Sequence, residues 1–371
     1  MKLVEVELRR VRLPLVAPFR TSFGTDTDRD ILLVKVTTDG GVTGWGECVA
    51  GNAPLYSAEY VDGAHQVVRD YLVPRLWDIP DLAAHRLEPA FAAVKGHPMA
   101  KAAVEMAVLD AELRTANLSL AGHLGAVRDA VPSGVSVGIA DTIPELLDTV
   151  GGYLDQGYVR IKLKIEPGWD LAPVRAVRER FGDIPLQVDA NTAYTVADAP
   201  HLARLDAFDL LLIEQPLPED DVPGHAVLAQ RVRTPICLDE SVTSARAAAA
   251  AIAAGACRIV NIKSGRVGGL LEARRVHDVA AAHGAPVWCG GMLETGIGRA
   301  ANLALAALPH FTLPGDTSAS NRYWHRDLIT EPFTLRPDGM VDVPTGPGLG
   351  VTVDEDWLAE VTTSVERLRA P

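Results

Sequence analysis

The chain has 371 residues, of which 48% are hydrophobic and 22% charged, a composition typical of a soluble globular protein with a sizeable core. This length exceeds one average domain and fits a barrel of about 250 residues with an additional module. The net charge of −13 and the lack of a basic run argue against binding to nucleic acid or to an anionic membrane surface.

Signals of secretion and membrane insertion are also missing from the sequence. The N-terminal residues MKLVEVELRRVRLPL alternate in polarity as a strand does and lack the apolar core of a signal peptide. No run of about 18 uncharged apolar residues occurs. The cysteines have no CxxC spacing, so we expect buried free thiols in a cytoplasmic protein. They are Cys48, Cys237, Cys257 and Cys289.

The first part of the chain predicts an α+β module. Residues 1 to about 50 alternate with a period of two and contain the turn DGG (39–41), which predicts an antiparallel meander. The segment FRTSFGTDTD (19–28) is rich in small and polar residues, and we interpret it as a long loop. From Ser57 to about Val127 the apolar period becomes helical. Strands and helices in separate blocks are typical of an α+β unit.

From residue 131 onward, short apolar runs alternate with helical stretches. Five consecutive runs, ending at Lys164 to Lys263, close on a charged residue, and these ends are 25, 25, 25 and 24 residues apart. This period is that of βα units, which build a parallel barrel. Catalytic residues of such barrels lie at the C-terminal strand ends, so these side chains should converge. The eight predicted ends are Val137, Lys164, Asp189, Glu214, Asp239, Lys263, Gly291 and Asp316.

Three of the charged strand ends are carboxylates and predict a metal site. Asp189, Glu214 and Asp239 would supply the hard oxygen ligands that Mg²⁺ prefers, and Mn²⁺ or Co²⁺ could substitute. Alternatively, the two aspartates cap the helices that follow them. That alternative does not extend to Glu214, a poor N-cap at the end of an apolar run, where an unpaired carboxylate would be costly. The three residues together therefore favour the metal site.

Two lysines share one predicted strand. Lys162 and Lys164 lie two positions apart, so both side chains should point into the barrel, where lysines are costly unless they meet carboxylates, anions or a reacting group. The alternative, in which they snorkel past helices, is weakened by Ile161 and Leu163 on the opposite face. Lys263 lies four strands further round. Lys164 and Lys263 would thus flank a metal-bound substrate as two bases, with Lys162 as an electrostatic helper.

The motifs around these residues resemble those of the enolase superfamily, in its muconate lactonizing enzyme subgroup. Within it the chain is most similar to the N-acylamino acid racemase / o-succinylbenzoate synthase family, over nearly its whole length. The resemblance implies a modified (β/α)₇β barrel with an α+β capping domain made from both termini. We assign 1–128 to the cap, 129–321 to the barrel and 322–371 to a segment that returns to the cap. The motifs are KLKIEPGWD, QVDANTAY, LLIEQPL, ICLDES, VNIKSGRVGG, WCGGMLETGIGRA and PGDTSAS, with TSFG and TGWGE near the start.

The resemblance also implies an activity. It would be racemisation of N-acylamino acids, with N-succinylamino acids as the expected substrates. O-succinylbenzoate synthase activity, a step of menaquinone biosynthesis, is expected in the same site. The expected partner is a small carboxylate substrate, and the protein is expected to be a homo-oligomer. The implied metal ligands are Asp189, Glu214 and Asp239, and the implied acid/base catalysts are Lys164 and Lys263.

Substrate contacts are predicted from several parts of the chain. Aromatic residues near the start should close over the substrate and exclude water, although they could instead only pack the cap. The acyl group should lie against the 136 region and the GGM turn. Arg266 should lower the pKa of Lys263 or fix its position, which favours racemase over synthase. The full set is Phe19, Phe23, Tyr56, Ser136, Asn191, Arg266, Gly291 and Met292.

Other functions are left open by the sequence. O-succinylbenzoate synthase as the main role is one, and another enolase-superfamily activity, such as dipeptide epimerisation, is a second. A Schiff-base aldolase would use Lys162, Lys164 or Lys263 to attack a carbonyl, and borohydride would trap the adduct. A catalytically dead barrel acting as a scaffold would turn over no carboxylate substrate. Loss of activity in EDTA would favour the metal enzyme.

Overall fold

Two main sheets organise the chain in the computed structural model, which describes residues 1–371. One is an antiparallel sheet of four strands in the order β13-β1-β2-β3, and the other is a parallel sheet of seven strands. The antiparallel strands are β1 Leu3–Thr21, β2 Gly24–Thr38, β3 Thr43–Cys48 and β13 Thr362–Arg369. The last strand pairs with the first, with Val6 opposite Leu368, so the C-terminal segment returns to the N-terminal sheet.

The predicted long loop at 19–28 is wrong. This segment forms the end of β1 and the start of β2, joined by a tight turn at Ser22 and Phe23, with Thr21 opposite Gly24. Thr25 and Thr27 are exposed on one face of this two-stranded ribbon. Polar residues are compatible with a strand when one face meets solvent, and threonine and phenylalanine favour the extended backbone.

Helices pack against the antiparallel sheet. The long helix α4 lies on β3, where a Cβ at Gly46 would collide with the carbonyl oxygen of Ala103, so glycine permits this close approach. The helices are α1 Val61–Val67, α2 Val73–Trp77, α3 Leu87–Phe91, α4 Pro98–Ala116 and α5 Leu120–Leu124. A π-helix (Val68–Leu72) joins the first two, and a 3₁₀-helix (Ala84–Arg86) precedes α3.

The parallel sheet runs in sequence order from β5 to β11, as successive βα units require. Its strands are β5 Gly134–Val137, β6 Arg160–Lys164, β7 Leu186–Asp189, β8 Ile213–Glu214, β9 Ile236–Leu238, β10 Ile259–Ile262 and β11 Val287–Cys289. The accompanying helices are α6 Ile143–Asp155, α7 Leu171–Phe181, α8 Ala199–Leu202, α9 Val222–Ala229, α10 Ala245–Ala253, α11 Ser264–Val267, α12 Leu270–Ala282 and α13 Gly296–Ala306. Three 3₁₀-helices, Val196–Asp198, Ala203–Phe208 and Ser320–Arg322, and the C-terminal helix α14 Glu355–Val361 complete the set.

The parallel sheet is open between β11 and β5. The segment 310–316, for which the sequence predicts an eighth strand, lies in this gap. It forms no continuous strand, but Phe311 bridges to Val287 on one side and Gly315 bridges to Ser133 on the other. A short antiparallel pair, β4 Ala130–Pro132 with β12 Met340–Asp342, lies beside it. The predicted architecture, a modified (β/α)₇β barrel with an α+β cap, is confirmed.

Buried glutamates of the cap reach the barrel helices. Glu105 on α4 accepts a hydrogen bond from the backbone N–H of Leu271 at the start of α12. Glu47 on β3 accepts from the backbone N–H groups of Thr295 and Gly298 at the start of α13. Carboxylates satisfy the free N–H groups of a helix N-terminus, so these two contacts hold the cap on the barrel.

All four cysteines are buried and free, as predicted. No helix is long and apolar enough to cross a membrane.

Candidate active site

A cavity of about 270 Å³ lies where the β1–β2 hairpin and the segment 51–56 meet the C-terminal ends of the barrel strands. The three lysines singled out in the sequence, Lys162, Lys164 and Lys263, all line it. The convergence predicted from the strand-end pattern is therefore what the fold produces.

The β6 lysines point into the barrel, as their spacing predicts. Lys162 is 2% exposed, and its Nζ lies 3.0 Å from Glu214 Oε2 and 3.3 Å from Asp189 Oδ2. The Nζ of Lys164 donates to Asp189 Oδ2 and to Asn191 Oδ1, both at 2.6 Å. Burial of two ammonium groups is tolerable here because each meets carboxylates.

Lys263 follows β10, four strands from β6. Its Nζ lies 2.7 Å from Asp239 Oδ2 and donates to the hydroxyl of Tyr56 at 3.2 Å. The same ammonium sits 4.5 Å from the centre of the Tyr56 ring, a cation–π distance. The segment that carries Tyr56 thus covers Lys263.

Arg266 does not line the cavity. It is 3% exposed, its guanidinium is ion-paired with Asp239, and it donates to the carbonyl oxygens of Val242 and Asn261. Direct contact with a substrate, as predicted for this residue, therefore has no support in the structure. Because Arg266 and Lys263 share Asp239, the contacts favour the other predicted role, that of fixing the position of Lys263.

A second acidic group holds Lys162 from another side. Asp316 Oδ2 lies 2.7 Å from Lys162 Nζ, and its Oδ1 lies 2.8 Å from the guanidinium of Arg160. The aromatic ring of Trp288 stacks beneath both cations. Asp316 had been identified only as a strand end, and the structure brings it into the cavity wall.

Burial and charge oppose each other at the lysines. Burial alone lowers the pKa of Lys162, but the charges of Asp316 and Glu214 outweigh it, so the pKa of this lysine is raised. Burial likewise lowers the pKa of Lys263, and Tyr56 and acidic neighbours raise it overall. The lowered pKa predicted for Lys263 is thus not found, since the charge of Arg266 is paired with a carboxylate.

The pKa values of two neighbouring carboxylates shift in opposite directions. Burial raises the pKa of Asp189, but Lys164 and Lys162 more than compensate, and the pKa lies well below its usual range. Burial and the adjacent charge of Asp189 raise the pKa of Glu214.

The three predicted metal ligands are all buried, with Asp189 at 1% and Glu214 and Asp239 at 0% exposed. The structure does not gather three metal-ligating side chains into one cluster. Each of these carboxylates instead contacts a lysine. The donor set fits a hard divalent cation, since it offers only carboxylate oxygens from neighbouring strand ends. The metal site itself stays a prediction.

The remaining predicted substrate contacts, Arg266 apart, all line the cavity. Ser136 is 4% exposed and its hydroxyl has no hydrogen-bond partner, which suits a contact to a substrate. Phe23 packs on Tyr56 with ring centres 6.2 Å apart, and Phe19 meets Tyr323 at the same distance. The lining residues from the predicted set are Phe19, Phe23, Tyr56, Ser136, Asn191, Gly291 and Met292.

Two residues of this cluster were missed in the sequence. Glu240 is buried beside Asp239 and accepts a hydrogen bond from Asn191. Asn261 donates to Glu214 Oε1 at 2.6 Å. A signal for Asn261 was present, because it lies two positions before Lys263 and so faces the barrel interior. No periodic signal marks Glu240, which follows the end of its strand.

Comparison with known proteins identifies the family. Residues 3–125 match the N-terminal domain of the mandelate racemase / muconate lactonizing enzyme family, and residues 145–357 match the enolase C-terminal domain-like family. The chain belongs to the enolase superfamily. The family resemblance drawn from the motifs is thereby confirmed, and this enolase-superfamily member is an enzyme.

Several relatives of this enolase-superfamily member are similar over their full length. It is 69% identical to an N-succinylamino acid racemase from an Amycolatopsis species over 365 residues, 98% of each chain. It is 49% identical to the o-succinylbenzoate synthase of Geobacillus kaustophilus over 357 residues, 96% of this chain and 95% of that one. A solved enolase-superfamily structure from Listeria innocua superposes with a TM-score of 0.96 at 40% identity, covering all of both chains.

Proposed function

We propose that this enzyme is a divalent-metal-dependent racemase of N-acylamino acids, with N-succinylamino acids as substrates, and that the same site has o-succinylbenzoate synthase activity. The observation that carries the proposal is the placement of Lys164 and Lys263 on strands four positions apart around one cavity. Each lysine contacts one of the predicted metal ligands. Similarity to a racemase at 69% and to a synthase at 49% supports both activities.

Racemisation requires that a proton leaves one face of the α-carbon and returns to the other. Lys164 would take the proton from one face, while Lys263 on the opposite face delivers its own, and the roles reverse for the other enantiomer. A proton α to a carboxylate is very weakly acidic, and its loss leaves two negative charges on an enediolate. Lys162, held by Glu214 and Asp316, would place a fixed positive charge beside those oxygens.

The three strand-end carboxylates would contribute through a bound cation. Asp189, Glu214 and Asp239 would hold a divalent metal ion that supplies positive charge beside the substrate carboxylate and so stabilises the enediolate more than the ground state. In the same proposal, Phe19, Phe23 and other cap aromatics exclude water from the closed cavity. Ser136 would hydrogen-bond the acyl group, because its buried hydroxyl has no other partner.

The synthase reaction starts with the same proton removal and needs only one base, because it continues by expelling a β-hydroxide. Racemisation needs both lysines to be competent. The second lysine, Lys263, is buried and held by Asp239 at 2.7 Å and by the Tyr56 hydroxyl at 3.2 Å, so it also has two partners that fix its position. A well-held second base favours racemisation as the main activity and leaves the synthase reaction as a second activity of the site.

A paired assay tests the proposal. The wild-type enzyme is given each enantiomer of N-succinyl-phenylalanine and, separately, the o-succinylbenzoate precursor, with and without EDTA. We expect racemisation and dehydration that EDTA abolishes and that added Mg²⁺, Mn²⁺ or Co²⁺ restores. Dehydration without racemisation would make synthase the better name, and full activity in EDTA would refute the metal site. A lysine adduct trapped by borohydride would favour the aldolase.

The proposal includes the organisation and setting of the enzyme. The capping domain would comprise 1–128 and 322–371, and the barrel 129–321; the pairing of β13 with β1 supports this division. We propose a cytoplasmic homo-oligomer, to be tested by light scattering after size-exclusion chromatography and by cell fractionation.

A further inference from the structure

Asn191 and Glu240 form a buried hydrogen-bonded pair next to Lys164, and Glu240 has no role in the reaction as described so far. Asn191 is 3% exposed and Glu240 is 7% exposed. The Nδ2 of Asn191 donates to Glu240 Oε1 at 3.0 Å, and its Oδ1 accepts from Lys164 Nζ at 2.6 Å. One amide thus connects an acidic group to a predicted base.

The carboxylate of Glu240 determines which way this amide faces. A reversed Asn191 side chain would set its oxygen against the Glu240 carboxylate and lose that hydrogen bond, and its NH₂ group could only donate to the lone pair of the Lys164 amine, which would block the base. The observed orientation satisfies both groups. Glu240 therefore keeps the amide oxygen directed at Lys164.

Two fixed acceptors orient the amine of Lys164. A neutral amine carries two N–H bonds and one lone pair, and Asp189 Oδ2 and Asn191 Oδ1 accept from this nitrogen at 2.6 Å each. The lone pair is then left to face the cavity. A base must point its lone pair in this direction to accept a proton from a substrate bound there. The backbone N–H of Asn191 also donates to Asp189 Oδ1 at 3.0 Å, which holds the Asp189 carboxylate in place.

The turn that carries Asn191 has an unusual backbone and is covered by the cap hairpin. Asn191 has a φ of 41° and Thr192 a φ of 66°, a left-handed conformation that β-branched residues rarely adopt. The hydroxyl of Ser22, at the hairpin turn, lies 3.2 Å from the carbonyl oxygen of Asn191 and 3.3 Å from that of Ala190. The hairpin and this turn are therefore joined directly over Lys164.

We propose that Asn191 and Glu240 are positioning residues that direct the Lys164 amine at the α-carbon, and that Ser22 couples this arrangement to the closed hairpin. The inference rests on the proposed function, because it takes Lys164 as the base for one enantiomer. It predicts a defect that is much larger on one face of the substrate than on the other, which general damage to the fold would not produce.

Exchange of the α-proton with deuterium, measured separately for each enantiomer of N-succinyl-phenylalanine, resolves the two faces. Lys164→Ala and Lys263→Ala first establish which enantiomer depends on which lysine. Asn191→Leu, close in size but without an acceptor, should slow the Lys164-dependent exchange about 100-fold, the typical cost of a misplaced group. The Lys263-dependent exchange should stay within about threefold of wild type. Glu240→Leu should slow the same enantiomer more than the other, whose base Lys263 also feels the charge of Glu240, and Glu240→Gln, which keeps a side-chain oxygen, should be milder.

Two further variants keep the test independent of folding. Ser119→Ala removes a helix cap at α5, remote from the cavity, and serves as a control that loses stability without favouring either enantiomer. Ser22→Ala should raise KM and slow the Lys164-dependent exchange several-fold less than Asn191→Leu. If Asn191→Leu does not fold, Asn191→Ala, which also lacks an acceptor, carries the same expectation.

The outcomes separate this inference from the proposed function. Equal slowing of both enantiomers by the Asn191 and Glu240 variants, or no slowing at all, would overturn the positioning role while wild-type racemisation stood. A wild type that exchanges neither enantiomer would overturn the proposed function together with the inference.

Discussion

Lys164 and Lys263 occupy similar environments that are built from different residues. Each lysine is hydrogen-bonded to one strand-end carboxylate, and each carboxylate also contacts a second cation. On one side the second cation is Lys162, which lines the cavity; on the other it is Arg266, which lies behind Asp239. A permanent cation beside the carboxylate is thus common to both sides, but only one of the two can touch a substrate.

The cap completes the two sides with different chemistry. The Tyr56 hydroxyl accepts from Lys263 directly, whereas Ser22 reaches the Lys164 side through the backbone of Asn191. Closing the cap therefore affects Lys263 through the side chain of Tyr56 and Lys164 through the turn at Asn191. Variants that act on one side only are therefore the sharpest way to test the two-base scheme.

The largest expected effect comes from removing either base. Lys164→Ala should slow deuterium exchange from one enantiomer and Lys263→Ala from the other. Each rate should fall about 10²–10⁴-fold, because a positioned general base contributes that much. Exchange is followed by NMR, with circular dichroism as the folding control. A variant that still racemised at nearly the wild-type rate would break the comparison between the two lysines.

The next largest effect is expected from Arg266→Gln, which should separate racemase activity from synthase activity. Without the guanidinium, Asp239 keeps only Lys263 as a cationic partner, and the lysine should lose its fixed position. We expect racemisation to fall about 10- to 100-fold and synthase activity to fall much less, since dehydration needs one base. Both rates are measured on the same preparation, and equal loss of the two would contradict the positioning role.

Tyr56→Phe should have a smaller effect, confined to the Lys263 side. The substitution removes the hydroxyl that accepts from Lys263 but keeps the ring that packs on Phe23. A hydrogen bond to a charged group is worth about 1.5–3 kcal/mol, so the Lys263-dependent exchange should fall about tenfold or more. Phe23→Ala is the matched variant on the hairpin and should raise KM and lower kcat for both enantiomers. An equal response of both enantiomers to Tyr56→Phe would count against this assignment.

The smallest expected effect concerns stability and pH. Burial raises the pKa of Glu105 to about 7 from its ordinary value of 4.5, although the N–H groups of Leu271 and Leu270 oppose the shift. Between these pH values the folded enzyme holds a proton that the unfolded chain releases, so stability falls as pH rises from about 4.5 to 7 and levels off above. Glu105 of the cap anchors α12, which follows the segment carrying Lys263, whereas on the Lys164 side the cap contact is made by the hydroxyl of Ser22.

Glu105→Gln should therefore flatten part of this pH dependence, by roughly 1–3 kcal/mol between pH 5 and 7. Urea unfolding at several pH values measures it, with Glu112→Gln on the same helix as the control. Parallel pH profiles for wild type and Glu105→Gln would show that this carboxylate does not titrate in the folded enzyme over that range.

The barrel and its charged centre were predictable because strand ends recur in the sequence. Lys164, Asp189 and Glu214 lie where the 25-residue interval places them, since each parallel strand must start again from the same edge. Alternation along β6 also correctly predicts that Lys162 faces inward. Periodicity in a sequence reveals repeated backbone units, and the positions of these residues follow from those units.

Contacts made by residues outside the βα repeat could not be predicted from this spacing. The hairpin at 19–28 was misassigned because its polar residues face solvent, which composition alone cannot distinguish from a loop. The bond between Asn191 and Glu240 joins residues from two different loops, and no spacing rule relates them. Arg266 was expected near Lys263, but only the fold reveals that Asp239 takes up its charge.

The pairing of β1 with β13 has a consequence for how the enzyme matures in the cell. Arg9 of β1 donates to the hydroxyl of Thr362 of β13, which lies 353 positions later in the chain, so this edge of the cap sheet is among the last parts of the molecule to acquire its neighbour. The ribosome exposes β1 early and β13 late. A nascent chain consequently carries a bare strand edge for most of its synthesis, at the base of the hairpin that later closes the cavity. An enzyme built this way becomes competent only once β13 has emerged from the ribosome, and removal of β13 should produce aggregation before it produces a slower catalyst.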